Sequence, residues 1–284
     1  MRLVGGGDRF GDCLGKPLAE LEIRVGHPVD AGSPLLWSQQ MPDGSVQQAT
    51  VGAGGEFVLE TGPDYRVSLS STRDVVTVAE PFGWVETQLV ASFVIPFLVA
   101  GAKTLVLHAA AACRKGEAVL IAGPGGTGKS SSLVALVEAG WAPLSEDVCV
   151  VDLSGREPVV WPGPPWVRRH HGEPGPRGSR ALFESSEKTA WDVTPFREAT
   201  GPVPVGGLVL LGRPVPGALP VRVGISRGEA IGALAPHAVW LGDSHEAGRR
   251  LFAPVAEAAA RIPASELRLP VAENWVDLLV PLLG

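Results

Sequence analysis

Ala118-Val119-Leu120-Ile121-Ala122-Gly123-Pro124-Gly125-Gly126-Thr127-Gly128-Lys129-Ser130 is the stretch on which the fold turns. An apolar run of strand character meets a glycine-rich turn, and a helical run begins at Lys129 and reaches about Ala139. Gly140 follows as a C-terminal stop. Gly123 to Ser130 satisfies G-x-x-x-x-G-K-[ST], in the strand-to-helix context that a phosphate-binding loop requires. Glycines let successive N–H groups turn inward around phosphate oxygens, and the helix presents its positive dipole end to the same oxygens. Lys129 supplies a mobile full charge and Ser130 a hydroxyl suited to Mg²⁺. Gly123, Pro124, Gly125, Gly126, Thr127, Gly128, Lys129, Ser130 and Ser131 are therefore the expected nucleotide-binding residues.

Working outward, Leu105-Val106-Leu107, Val148 to Val151 and Gly207 to Leu211 read as strands. Glu246 to Ala260 and Trp275 to Leu283 read as helices. The order predicts an α/β nucleotide-binding core over 104–284. Residues 1–103 are expected to form a β-rich region, with runs such as Leu21 to Val25 and Tyr65 to Leu69 between turn clusters at Pro42-Asp43-Gly44 and Gly62-Pro63-Asp64. Its acids Asp8, Asp12 and Glu20 are scattered and read as a solvated surface. Between Ser154 and Thr200, seven prolines and a set of basic residues, including Arg168, Arg169, His170 and His171, predict a long irregular loop, either a lid or a solvated surface. Lys188 in that segment is either a charge clamp or a surface lysine.

Composition removes several classes. The chain has 284 residues, 45% hydrophobic and 19% charged, which describes a globular protein with a sizeable core. A net charge of −6 without a long basic stripe argues against a nucleic-acid-coating protein. The most apolar stretch, Leu89 to Ala102, is interrupted by Pro96 and falls short of the roughly 20 residues of a spanning helix; it predicts a buried helix and no membrane anchor. Cys13, Cys113 and Cys149 are far apart, with neither CxxC nor zinc spacing, and no secretory signal opens the chain, so a reduced cytoplasmic setting is expected.

A nucleotide loop needs an acid to hold metal or take a proton. Asp152 closes an apolar strand, whereas the pair Glu146-Asp147 opens it. With that pair, the segment Leu107-His108-Ala109-Ala110-Ala111, the loop, and Leu144-Ser145-Glu146-Asp147-Val148 resemble the catalytic core of HPr serine kinase/phosphorylase and its shorter relatives, a group related to phosphoenolpyruvate carboxykinase. The resemblance covers about 40 residues, from His108 to Asp147. It implies an ATP- and Mg²⁺-dependent P-loop kinase core whose loop and Lys129 bind phosphates. Ser130, Glu146 and Asp147 would hold the metal, with the acidic pair also deprotonating an acceptor hydroxyl, and His108 would lie beside the γ-phosphate or the pair.

The chain departs from the family at Glu146, where Asp is usual, and in lacking a Glu-x-Arg-Gly-Leu-Gly signature after Asp152. Those departures point away from HPr itself and from phosphorolytic reversal. The shorter relatives imply a peptide or protein serine as acceptor, or a small hydroxyl compound. Three alternatives stay open: a non-catalytic ATP-binding regulator, a kinase of a small hydroxylated metabolite, and a carboxykinase-like enzyme. For His108 the bland reading is a hydrogen-bonded strand-end histidine. Oligomerisation, and ATP over GTP, are not fixed by any motif.

Overall fold

A computed structural model of the chain describes residues 2–4, 22–28, 30–32, 35–40, 46–62, 65–72, 75–79, 83–94, 96, 99–100, 103–185, 187–213, 216, 219–239, 244–268, 270 and 281. Asp8, Asp12, Glu20, Cys13, the Pro42–Gly44 turn and nearly all of the expected helix at 275–283 lie outside them. The architecture is mixed α/β and mostly sheet. Two compact units are present, residues 1–99 with 240–249 and residues 100–239 with 250–284.

The first unit is built on a seven-stranded sheet. Its strands are β1 (Arg2–Val4), β2 (Glu22–Val25), β3 (Leu35–Gln40), β4 (Val46–Val51), β5 (Phe57–Thr61), β6 (Tyr65–Leu69) and β7 (Val75–Val78), in the order β1-β2-β7-β6-β5-β4-β3. The period-2 pattern of β7 is visible in its burial, with Val76 and Val78 fully enclosed and their neighbours half-buried. The apolar run expected to be helical begins within α1 (Trp84–Leu89) and continues as a π-helical turn at Val90–Val94. Leu89, Val90 and Val94 are buried, so its hydrophobicity serves the core of this unit.

The second unit carries the motif. β8 (Thr104–Leu107), β9 (Ala109–Arg114), β10 (Glu117–Ala122), β11 (Ala142–Ser145), β12 (Cys149–Asp152), β13 (Val159–Trp161), β17 (Val203–Leu211), β18 (Val221–Gly224) and β19 (Ala264–Arg268) form one mixed sheet. Its centre is parallel: β10 pairs with β17, and β17 with β19. β9 and β10 make a hairpin whose two-residue turn, Lys115-Gly116, has φ of 54° and 81° at its two positions, as the right-handed twist of the strands favours.

Helix α2 (Lys129–Glu138) follows β10. It ends where the glycine predicts: Gly140, at φ 83°, donates to Val137 O at 3.0 Å, and Trp141 N donates to Leu136 O at 2.9 Å. These two bonds are a Schellman closure. Leu133 and Leu136 on α2 pack with Ala110, Ala112, Ile121 and Val209 of the sheet. The opposite sheet face buries Leu105, Leu107, Leu120, Val151 and Leu208 with residues of α3 (Arg227–Leu234) and α4 (Ser244–Arg261). Both faces are thus covered, which explains the continuous apolar runs of β10 and β17. Cys113 and Cys149 are free thiols in this interior.

The segment expected to be an irregular loop contains four short strands. β13 joins the main sheet, while β14 (Trp166–His170), β15 (Ala181–Glu184) and β16 (Lys188–Asp192) form a separate three-stranded antiparallel sheet in the order β14-β16-β15. Prolines at 158, 162, 164, 165, 174 and 176 fall between these strands, where no ladder N–H is missed. Arg168 and Arg169 are only 11% and 13% exposed along their side chains, whereas residues 154–157 and 170–172 of the same stretch are exposed.

Candidate active site

The glycine loop begins where β10 ends. A Cβ on Gly123 would come within 2.7 Å of Leu211 O and 2.9 Å of Thr127 Oγ1, so only glycine fits between β10 and β17 there. Gly126 and Gly128 hold φ of 77° and 94°, the left-handed region that a side chain resists. Thr127 Oγ1 donates to Pro124 O at 2.8 Å and tightens the turn. The first intrahelical bond of α2 runs from Ser132 N to Gly128 O at 2.7 Å. The N–H groups of Lys129, Ser130 and Ser131 therefore have no partner within the helix, and they carry its positive dipole end. Lys129, 8% exposed, donates from Nζ to Gly123 O at 2.8 Å and Pro124 O at 3.2 Å, which folds the ammonium back over the loop.

The acidic pair is brought directly to this helix. Ser130 Oγ donates to Glu146 Oε1 at 2.6 Å. Asp147 adopts φ 74°, a conformation that Asp tolerates better than most residues, and Ser145 Oγ donates to Val148 O at 2.6 Å across the same turn. Arg168 from β14 reaches both acids, with Nε 3.3 Å from Glu146 Oε2 and a terminal nitrogen 2.5 Å from Asp147 Oδ2. His108, between β8 and β9, places Nε2 3.6 Å from Asp147 Oδ1, a charge-range contact longer than a hydrogen bond. Its backbone N–H donates to His237 O at 2.7 Å, which fixes the ring's base.

Charges within the cluster oppose one another. Burial raises the Glu146 carboxyl above its ordinary range, against the pull of Arg168 and Ser130. Burial also acts against ionised Asp147, but Arg168, His108 and Lys188 outweigh it and hold that carboxyl low. The His108 imidazole is lowered by burial together with Lys129, Arg168 and Lys188, against the pull of Asp147. Burial likewise lowers Lys129, with Asp147 and Glu146 pulling upward. In chemical terms, the cluster is one ionised carboxylate, a second that burial disfavours, and several cations beside a glycine loop and a helix N-terminus.

A cavity of about 720 Å³ opens on the loop, lined by Gly123, Pro124, Gly125, Lys129, His108 and His237 among others. That is ample for a nucleotide-sized ligand. Lys188, half-buried in β16, lies near enough for its charge to act on Lys129, His108, Glu146 and Asp147. Asp152 instead stands at the far end of β12 and accepts from Ser154 N at 2.8 Å, closing a turn. The Ser131 hydroxyl faces Arg169, which donates to it at 2.5 Å, leaving the Ser131 backbone N–H as the group available to a phosphate.

Sequence reasoning did not single out Arg168 as the partner of both acids, nor His237 at the cavity. Trp166-Val167-Arg168-Arg169-His170 has no period-2 alternation, so the sequence carries no signal for either role.

The support for the acidic pair is tested by Gly163, whose added Cβ would sit on the Ser145 side chain. Ser145 is 2% exposed and has nowhere to move. Gly163→Ala is expected to destabilise the protein by about 2 kcal/mol in denaturant unfolding. An unchanged midpoint would show that the turn yields freely.

No family model matches the chain, and no curated protein matches it. Among solved structures, the HPr(Ser) kinase/phosphatase from Coxiella burnetii is similar at 14% identity and a TM-score of 0.33, covering 63% of this chain and 93% of that one. At that level of likeness the chemistry has to be read from the residues themselves.

Proposed function

We propose that the protein is an ATP- and Mg²⁺-dependent kinase that transfers the γ-phosphate to a hydroxyl, foremost a serine of a peptide or protein. The observation that carries this reading is the 2.6 Å bond between Ser130 Oγ and Glu146 Oε1, which seats an acidic pair on the helix start beside a phosphate-binding loop. Loop N–H groups and Lys129 bind the phosphates. The Ser130 hydroxyl and the Glu146 carboxylate bonded to it are hard oxygen donors, the kind that Mg²⁺ prefers. When bound, Mg²⁺ supplies charge neutralisation at the phosphates.

Asp147, kept ionised by Arg168, His108 and Lys188, accepts the proton of the acceptor hydroxyl. Lys129 and Lys188 offset charge that grows on the transferred group. His108, half-exposed, faces the Asp147 oxygen that Arg168 leaves open. Glu146 stays on the Ser130 side. Most of the rate gain comes from positioning, since phosphoryl transfer asks little covalent work of the protein.

A purely nucleotide-binding regulator is the second reading, favoured by the buried, upshifted Glu146. The two are separated by the chemistry of the labelled product. Phosphoserine after acid hydrolysis of the product supports the kinase reading and its acceptor class. Tight ATP binding without any phosphorylated product establishes the regulator.

A further inference from the structure

The two carboxylates present four oxygens, and three side chains face them. Glu146 Oε1 accepts from Ser130 at 2.6 Å, and Asp147 Oδ1 faces His108 at 3.6 Å. The other two are taken by one side chain, Arg168, through different nitrogens, at 3.3 Å from Glu146 and 2.5 Å from Asp147. We infer that Arg168 is a positioning residue that divides the labour of the acidic pair, leaving Glu146 to the metal side at Ser130 and Asp147 to the acceptor side at His108. This rests on the phosphotransfer reading above.

The geometry supports it at three levels. Arg168 is held in register, opposite Ala190 in the β14–β16 ladder. The next residue, Arg169, donates to Ser131 and pairs with Glu173 at 3.0 Å, tying β14 to the first turn of α2. Strand, loop helix and acidic turn are thus linked through adjacent arginines. Only a guanidinium has two separated donors in a rigid fork; a lysine ammonium cannot span both acids in the same way. With Arg168 removed, Asp147 is free to turn toward Ser130, and a site with one carboxylate on the metal side becomes a site with two.

That change has opposite effects on two measurements. In Arg168→Ala, label transfer from γ-labelled ATP falls about 100-fold, the cost of a misplaced reacting group. Mn²⁺ binding to the nucleotide-free protein, followed by electron paramagnetic resonance, tightens about tenfold because a neighbouring cation is gone. Arg168→Lys covers the case in which the alanine variant does not fold: charge is kept, so Mn²⁺ binding stays at the wild-type value while transfer still drops. Transfer at the wild-type rate in either variant overturns the inference and leaves the kinase reading intact. Slower transfer with unchanged or weaker Mn²⁺ binding in Arg168→Ala also overturns it, since a purely structural role gives that result. If the wild-type protein transfers no label, the kinase reading fails separately. Tightened Mn²⁺ binding in Arg168→Ala then still supports the hold of Arg168 on the pair, and unchanged binding overturns it.

Discussion

Lys129→Ala is expected to lower phosphoryl transfer by about 1,000-fold or more, the scale seen when a preorganised charge-stabilising donor is lost. The ammonium is buried on the loop and bonded to Gly123 O and Pro124 O at 2.8 and 3.2 Å, so it is already placed where phosphate oxygens would replace those carbonyls. The neighbouring N–H groups of Ser130 and Ser131 remain in the variant, but they carry partial charges and cannot substitute for a full one. Burial holds the Lys129 pKa below its ordinary value, and a nearby phosphate favours the charged form again. Losing that charge weakens nucleotide binding and transition-state stabilisation together. Binding of a fluorescent ATP analogue and label transfer, measured on the same preparation, check both. Transfer retained in Lys129→Ala would remove the loop from the mechanism.

The second large effect is expected at Asp147. Asp147→Asn should reduce transfer by about 100- to 1,000-fold, within the range for loss of a general base, while nucleotide affinity stays near the wild-type value. Asparagine suits this test because it also tolerates the left-handed backbone that Asp147 adopts at φ 74°. An alanine at the same place would add backbone strain to the loss of charge. Arg168 keeps an acceptor oxygen in the variant through the side-chain carbonyl, so the loop of contacts around Glu146 survives. Affinity and turnover therefore separate. Equal loss of both would place Asp147 in binding and leave the proton without this acceptor.

The elements that carry the loop were legible because their local signals agreed. β10 is apolar along its length, Gly140 supplies the left-handed stop of α2, and β17 carries the Leu208–Leu211 run. Glu146 and Ser130 were brought together beforehand only by the family resemblance, which implied a shared metal set; the structure joins them by a hydrogen bond. What was hidden lies in residues whose environment reverses their usual preference. Arg168 and Arg169 look solvated in sequence and are largely buried in β14, because Glu146, Asp147 and Glu173 supply the opposite charge. Prolines made residues 154–200 look irregular, whereas they separate strands of three to five residues. Such short strands carry too few alternations to register as a pattern. β9 was overlooked for a related reason: Ala109 to Cys113 are small residues without β preference, and their burial between β10 and β11 sets their state.

Among the described residues no helix is long and apolar enough to cross a membrane. The proposed function rests on a small set of contacts at the end of β10. Its most direct test is transfer of label from γ-labelled ATP, with Mg²⁺, into cell extract separated into peptide, protein and small-molecule fractions, with Asp147→Asn alongside. The proposed function predicts label in the peptide or protein fraction, dependent on Mg²⁺ and lost in the variant. Nucleotide bound tightly with no label in any fraction would contradict it.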